Sequence, residues 1–130
     1  MENKITPEMR EIFKTLAGKY KLTKEHFHTH KHYVIIKRIG IEKIKHEAKI
    51  HVRLELPYVT NDTAVVKAVG DMNGTICETY GSATPKNCQN LYFVEMAEKR
   101  ALSRVVLKLT QFGEIANVLS EDETIIDHGY

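Results

Sequence analysis

The run from Phe93 to Phe112, FVEMAEKRALSRVVLKLTQF, constrains the fold more than any other part of the chain. Placed on a helix, at about 100° per residue, Val94, Ala97, Ala101, Val105, Leu109 and Phe112 fall into one apolar stripe. A second apolar set, Phe93, Met96, Val106 and Leu107, lies away from that stripe. A helix that is apolar on more than one side is usually buried on more than one side. The second cover is either the N-terminal helix and the tail, or a neighbouring subunit. Arg100, Arg104 and Lys108 lie four apart on a flank of the stripe, with Gln111 close by. Like charges at that spacing do not pair with one another. They form a solvated face, or they bind an anion that runs along the helix, such as a polynucleotide backbone.

The charge distribution favours the second alternative. The net charge of +2 hides an asymmetry. Residues 113–130 carry five acids (Glu114, Glu121, Asp122, Glu123, Asp127) and no Lys or Arg, which leaves 19 basic against 12 acidic residues in 1–112. A basic body with an acidic tail suits an anionic polymer partner, because the tail can compete with the polymer for the basic groove; the alternative is that the tail is a short frayed terminus. A chain of 130 residues is expected to form a single domain. Its expected parts are an N-terminal helix and His-rich link (1–32), a core (33–112) and an acidic tail (113–130). No apolar run reaches membrane-spanning length, and no signal-peptide pattern opens the chain. Cys77 and Cys88 fit neither a CxxC motif nor a disulfide framework, which points to a reducing, cytoplasmic setting inside a cell.

Along the chain, residues 6–18 read as a helix: Thr6 caps it, Pro7 takes the first turn and Gly18 ends it. The polar link KLTKEHFHTHKH follows. Residues 33–39, YVIIKRI, read as a strand, which Gly40 interrupts and IEKI continues. From 48 to 56 the pattern alternates. Ala48, Ile50, Val52, Leu54 and Leu56 face one way; Lys49, His51, Arg53 and Glu55 face the other. Residues 63–71 read as the next strand, Asn73-Gly74 as a tight turn, and 76–83 as the returning strand. The expected fold is α+β: an antiparallel three- to four-stranded meander packed against the long C-terminal helix, with an N-terminal helix in addition.

The strings YVIIKRIGIEKI, ETYGSATPKN and AEKRALSRVVLKL, in that order around alternating strands, resemble phage-encoded single-strand DNA annealing proteins of the Rad-fifty-two-like superfamily. The resemblance covers roughly residues 33–112. Its strongest part is the long helix, with Ala97 and Ala101 four apart and basic residues after them. It implies a hairpin-rich sheet on a long helix, assembly into rings or filaments, and single-stranded DNA held by its phosphates in a basic groove. The implied activity is ATP-independent pairing of complementary strands, without catalytic residues or a cofactor. By position, Arg100, Arg104 and Lys108 correspond to the family's basic helix, and Lys37, Arg38 and Lys43 to its basic hairpin. A phage exonuclease or a host single-strand-binding protein is the implied protein partner. The chain is short for such a protein and lacks a separate partner-binding C-terminal region.

The residues support strand binding independently. Lys37, Arg38, Lys43, Lys45, Lys49 and Arg53 concentrate in the early sheet, with Tyr33, Tyr58, Tyr80, Tyr92 and Phe93 available for stacking. His26, His28, His30 and His32 alternate, so an extended backbone would turn all four to one side, where an HxH pair can hold a divalent metal. The competing reading is a solvated link whose histidines contact phosphates. No Walker A loop, GxSxG or dinucleotide fingerprint is present. A metal-dependent nuclease using scattered carboxylates such as Glu42, Glu55 and Asp71 is the enzyme-class rival. A non-enzymatic interaction module of a mobile element is the third reading.

Overall fold

The computed structural model describes residues 6–30, 32–88, 91–115 and 118–123. Helix α1, Pro7–Lys19, starts where Thr6 Oγ1 accepts from Met9 N at 3.1 Å, with Pro7 in the first turn. It does not end at Gly18. The chain turns two residues beyond the helix, at Lys21, whose φ of 59° is left-handed. Two short strands follow, β1 (Phe27–Thr29) and β2 (Val34–Ile36), paired antiparallel.

The expected strand from 33 onward stops at Ile36. Residues Arg38–Ala48 form helix α2 instead. β-branched content suggested a strand, but the apolar spacing is helical: Ile41 and Ile44 are fully buried three apart. Arg38–Glu42 and Lys43–Glu47 are i,i+4 ion pairs on the outer side, at 3.1 and 3.2 Å. Gly40 does not break the segment. It lies in the first turns of α2 against the His26 carbonyl, which also accepts from Lys37 N, and a Cβ at Gly40 would overlap that oxygen.

The meander is as expected. Strands β3 (His51–Val59), β4 (Ala64–Met72) and β5 (Thr75–Ala83) form an antiparallel sheet in that order. Asn73 (φ 54°) and Gly74 (φ 89°) make the tight turn between β4 and β5, where Asp71 Oδ1 accepts from Gly74 N at 2.9 Å. Helix α3, Phe93–Leu109, crosses the sheet over β4 and β5. The close approach is made by small residues. A Cβ on Gly81 would overlap Ala97 O and Ala101 N, and one on Gly70 would sit 2.8 Å from a Val105 methyl. Thr79 Oγ1 donates to Ala101 O at 2.8 Å, which ties sheet and helix polar groups together.

The other side of α3 is covered by the chain itself. Met96, Val106 and Leu107 are buried in one core with Phe13, Leu16, Ile41 and Ile44. Phe112, in the 3-10 turn Phe112–Glu114, has ring centroids 5.6 Å from Phe13 and 6.0 Å from Tyr20. A neighbouring subunit is therefore not needed to cover α3. The tail also contributes structure. Strand β6, Val118–Ser120, pairs parallel with β2, and a 3-10 turn, Glu121–Glu123, follows. Residues 124–130, including Asp127, lie outside the described residues. Link, core and tail thus share one small sheet, β1-β2-β6.

Strand β3 departs most from the half-buried strand the alternation suggested. Ala48 belongs to α2 and Ile50 is buried, but beyond Val52 the strand is exposed on both faces. Leu54 and Leu56 share the helix-side face with Val52, yet α3 lies over β4 and β5 and barely reaches them. Among the described residues, no helix is long and apolar enough to cross a membrane.

Candidate nucleic-acid interface

The nine candidate strand-contacting cations separate into two groups, one at each end of α2, with Lys37, Arg53 and Lys108 at their margins. The first group is the corner where α2 turns into β3. Lys45 and His46 lie in the last turn of α2, where the helix dipole favours cations. Lys49 is the C-cap, in the left-handed region at φ 57° and ψ 45°, and it swings the chain into β3 at His51. Lys45, His46, Glu47, Lys49, Ile50 and His51 line an open groove of about 480 Å³. Glu47 is the carboxylate of this corner. Lys43 Nζ approaches it at 3.2 Å and Lys21 Nζ at 3.5 Å. The hydrogen bond from Lys43 is the main cause that holds its pKa below the ordinary glutamate value, with the Lys21 and Lys43 charges adding to it. Asp71 lies opposite His51, but its carboxylate is engaged by the Gly74 amide. Two lysines therefore flank one carboxylate, and the half-buried Lys45 and the exposed Lys49 line the same groove. Lys21 is the member the sequence did not reveal, because it joins from the end of α1 and has no spacing relation to the others.

The second group is occupied by the chain's own acids. Glu121 Oε1 accepts from the Arg38 backbone N at 2.8 Å, at the open start of α2, where Lys37 supplies no side-chain cap. Asp122 accepts from Ser103 Oγ at 3.0 Å and lies 3.8 Å from Arg38 Nη1. Burial raises the Asp122 pKa, and the Ser103 hydrogen bond and the Arg38 charge oppose the shift. Glu123 holds Arg104 through both carboxylate oxygens, and Arg104 Nη1 also donates to the Tyr80 carbonyl on the outer edge of β5 at 2.6 Å. Lys108 is exposed one turn further along α3. It borders, with Arg104, Thr79 and Glu123, a groove of about 760 Å³ between α3 and β6.

Arg100 corrects the reading of the helix stripe. It is 2% exposed, and its guanidinium donates to Ser82 O at 2.7 Å, to Asn87 Oδ1 at 3.0 Å and to Asn87 O. The loop after β5 closes over it, so it is a structural cross-link rather than a surface cation. Lys37 is half-buried at the N-cap of α2, and Arg53 pairs with Glu55 at 3.0 Å on the open face of the meander. Tyr58 and Tyr80 are exposed on that same face, with Lys67 between their strands. Its carboxylates Glu55 and Glu78, the latter 3.4 Å from Lys67, leave the face without a cationic surplus.

The four histidines do not gather into one site, although the His30 and His32 rings lie 5.7 Å apart. His26 Nδ1 accepts from Thr23 N at 2.8 Å, and the His30 ring stacks on Tyr33 at 4.4 Å and accepts from His32 N. Among the described residues, no three His, Cys, Asp or Glu side chains gather where they could hold a metal. Comparison with protein-family models, with curated proteins and with solved structures finds no match to this chain.

Proposed function

We propose that this chain binds single-stranded DNA by its phosphate backbone and, assembled with copies of itself, pairs complementary strands without ATP, as in phage-type recombination within a host cell. The observation that carries the reading is the α2–β3 corner, where Lys45 and Lys49 flank an open groove and Lys21 and Lys43 offset its one glutamate. A polyanion gains there by releasing its counterions, whatever its base sequence. The resemblance of the strings ETYGSATPKN and AEKRALSRVVLKL to single-strand annealing proteins supports the same reading. So do the exposed Tyr58 and Tyr80, on which bases can stack.

The test is fluorescence anisotropy with a labelled oligonucleotide over a salt series, with and without chelator. Replacing Lys45 and Lys49 by Ala should weaken binding regardless of sequence. It should also flatten the salt dependence by about 1.4, roughly 0.7 for each phosphate that is no longer neutralised. An unchanged slope in the folded double variant would remove the corner from the interface. Degradation of the oligonucleotide that chelator abolishes would favour the nuclease reading. Failure of the native chain to bind would favour an interaction module.

Glu121, Asp122 and Glu123 sit where phosphates would meet Arg38 and Arg104, so the acidic turn competes with the strand for the second basic group. Glu123→Gln weakens that hold and leaves β6 in place. It should tighten strand binding at low salt, and the gain should shrink as salt rises, because the screening length falls from about 10 Å at 0.1 M toward about 3 Å at 1 M. Equal affinities at low salt would make the Arg104–Glu123 pair purely structural.

A further inference from the structure

We infer that β3 is the self-assembly edge of this protein, and that a second copy pairs antiparallel with it about a two-fold axis at Leu54. The inference rests on the oligomer of the proposed function and names its surface. Among the described residues strand β3 is an outer strand of its sheet, so one row of its backbone N–H and C=O groups has no strand beside it. Its helix-side face is apolar and uncovered: Leu54 is 40% and Leu56 48% exposed. Helix α3 packs mainly on β4 and β5 and touches β3 little, so the face ends in an apolar step beside the helix.

The residues around Leu54 read as their own complement. Antiparallel pairing centred there sets Leu54 against Leu54 and Val52 against Leu56 on the helix side. On the other side it sets Arg53 against Glu55, and by symmetry Glu55 against Arg53. A two-fold interface requires this kind of self-complementarity, and opposite charges and apolar pairs directly across two strands stabilise the pairing. The ladder has a natural end. Pro57 has no N–H to donate, and the register of β3 against β4 shifts between Glu55 and Tyr58. Pairing therefore covers about the first seven residues of β3 and joins two meanders into one six-stranded sheet. The apolar strip of Val52, Leu54 and Leu56 from both copies fills the valley between the two α3 helices. This fits a second copy better than an unrelated partner, because both the charge order and the apolar order match only in this self-register.

Sedimentation velocity at micromolar concentration, with and without an oligonucleotide, tests the surface. The native chain should sediment as a dimer or an even-numbered assembly. Leu54→Lys places two like charges on the axis and should shift the boundary to the 14.9 kDa monomer or abolish higher assembly. Leu54 is exposed, so a native circular dichroism spectrum is expected. Arg53→Glu should weaken assembly, and Arg53→Glu combined with Glu55→Arg should restore it. A native chain that assembles equally well with Leu54→Lys overturns the edge but leaves the oligomer standing. A native chain that stays monomeric with and without DNA overturns both.

Discussion

Arg100→Met should destabilise the protein by about 3 kcal/mol, because it removes the donor that several buried neutral acceptors share. The methionine keeps most of the stem volume, so the loss isolates the guanidinium. That group reaches Ser82 O, Asn87 Oδ1 and Asn87 O from a position 2% exposed. Without it, acceptors in the loop after β5 lose their donors inside the protein, and each unsatisfied buried group costs about 1–3 kcal/mol. Urea unfolding checks the value. Lys108→Ala, further along the same helix but exposed, should stay within about 0.5 kcal/mol of the native chain. The two residues look alike on a helical wheel and are expected to behave oppositely. A stable Arg100→Met variant that loses strand binding would return Arg100 to the surface role the stripe suggested.

Gly81→Val should be at least as damaging, about 3 kcal/mol or more, and the variant is expected to populate unfolded or aggregated forms. The atoms a side chain would meet are Ala97 O and Ala101 N, backbone atoms of α3 that cannot yield unless the helix lifts off β5. Lifting it also breaks the Thr79–Ala101 hydrogen bond. Gly18→Ala is the control with the opposite sign. Gly18 is helical, and a Cβ there meets nothing within 4 Å. Replacing it should stabilise by about 0.5–1 kcal/mol, the usual gain of alanine over glycine in a helix. Thermal unfolding of the two variants side by side reads both signs. A Gly81→Val protein that melts with the native chain would mean that α3 is not seated on β5 as described.

These residues also mark where local pattern sufficed. The capped start of α1 at Thr6-Pro7, the Asn73-Gly74 turn, the β4–β5 hairpin and the apolar stripe of α3 were all legible, because each depends on neighbours a few positions away. Capping, left-handed φ values and helical periodicity are short-range properties. The α+β class followed from them. Helix α2 was not legible, because its β-branched isoleucines have strand preference in isolation. Burial of Ile41 and Ile44 against the core, a long-range effect, outweighs that preference.

The basic residues divide in the same way. Their number and their separation from the acidic tail could be counted along the chain. Which of them reach solvent could not, because that depends on what folds over them. The loop after β5 buries Arg100, and the turn Glu121–Glu123 takes Arg38 and Arg104 from more than eighty and about twenty positions away. Lys21 joins Lys43 at Glu47 only because α1 ends beside α2. Lys49 stays exposed, with Lys45 half-buried beside it, because α2 ends on a left-handed residue and turns away into β3. Local periodicity specified α1, the β4–β5 hairpin and α3. Side chains distant in sequence, competing for the same buried space and the same counter-charges, decided which of its cations stay exposed.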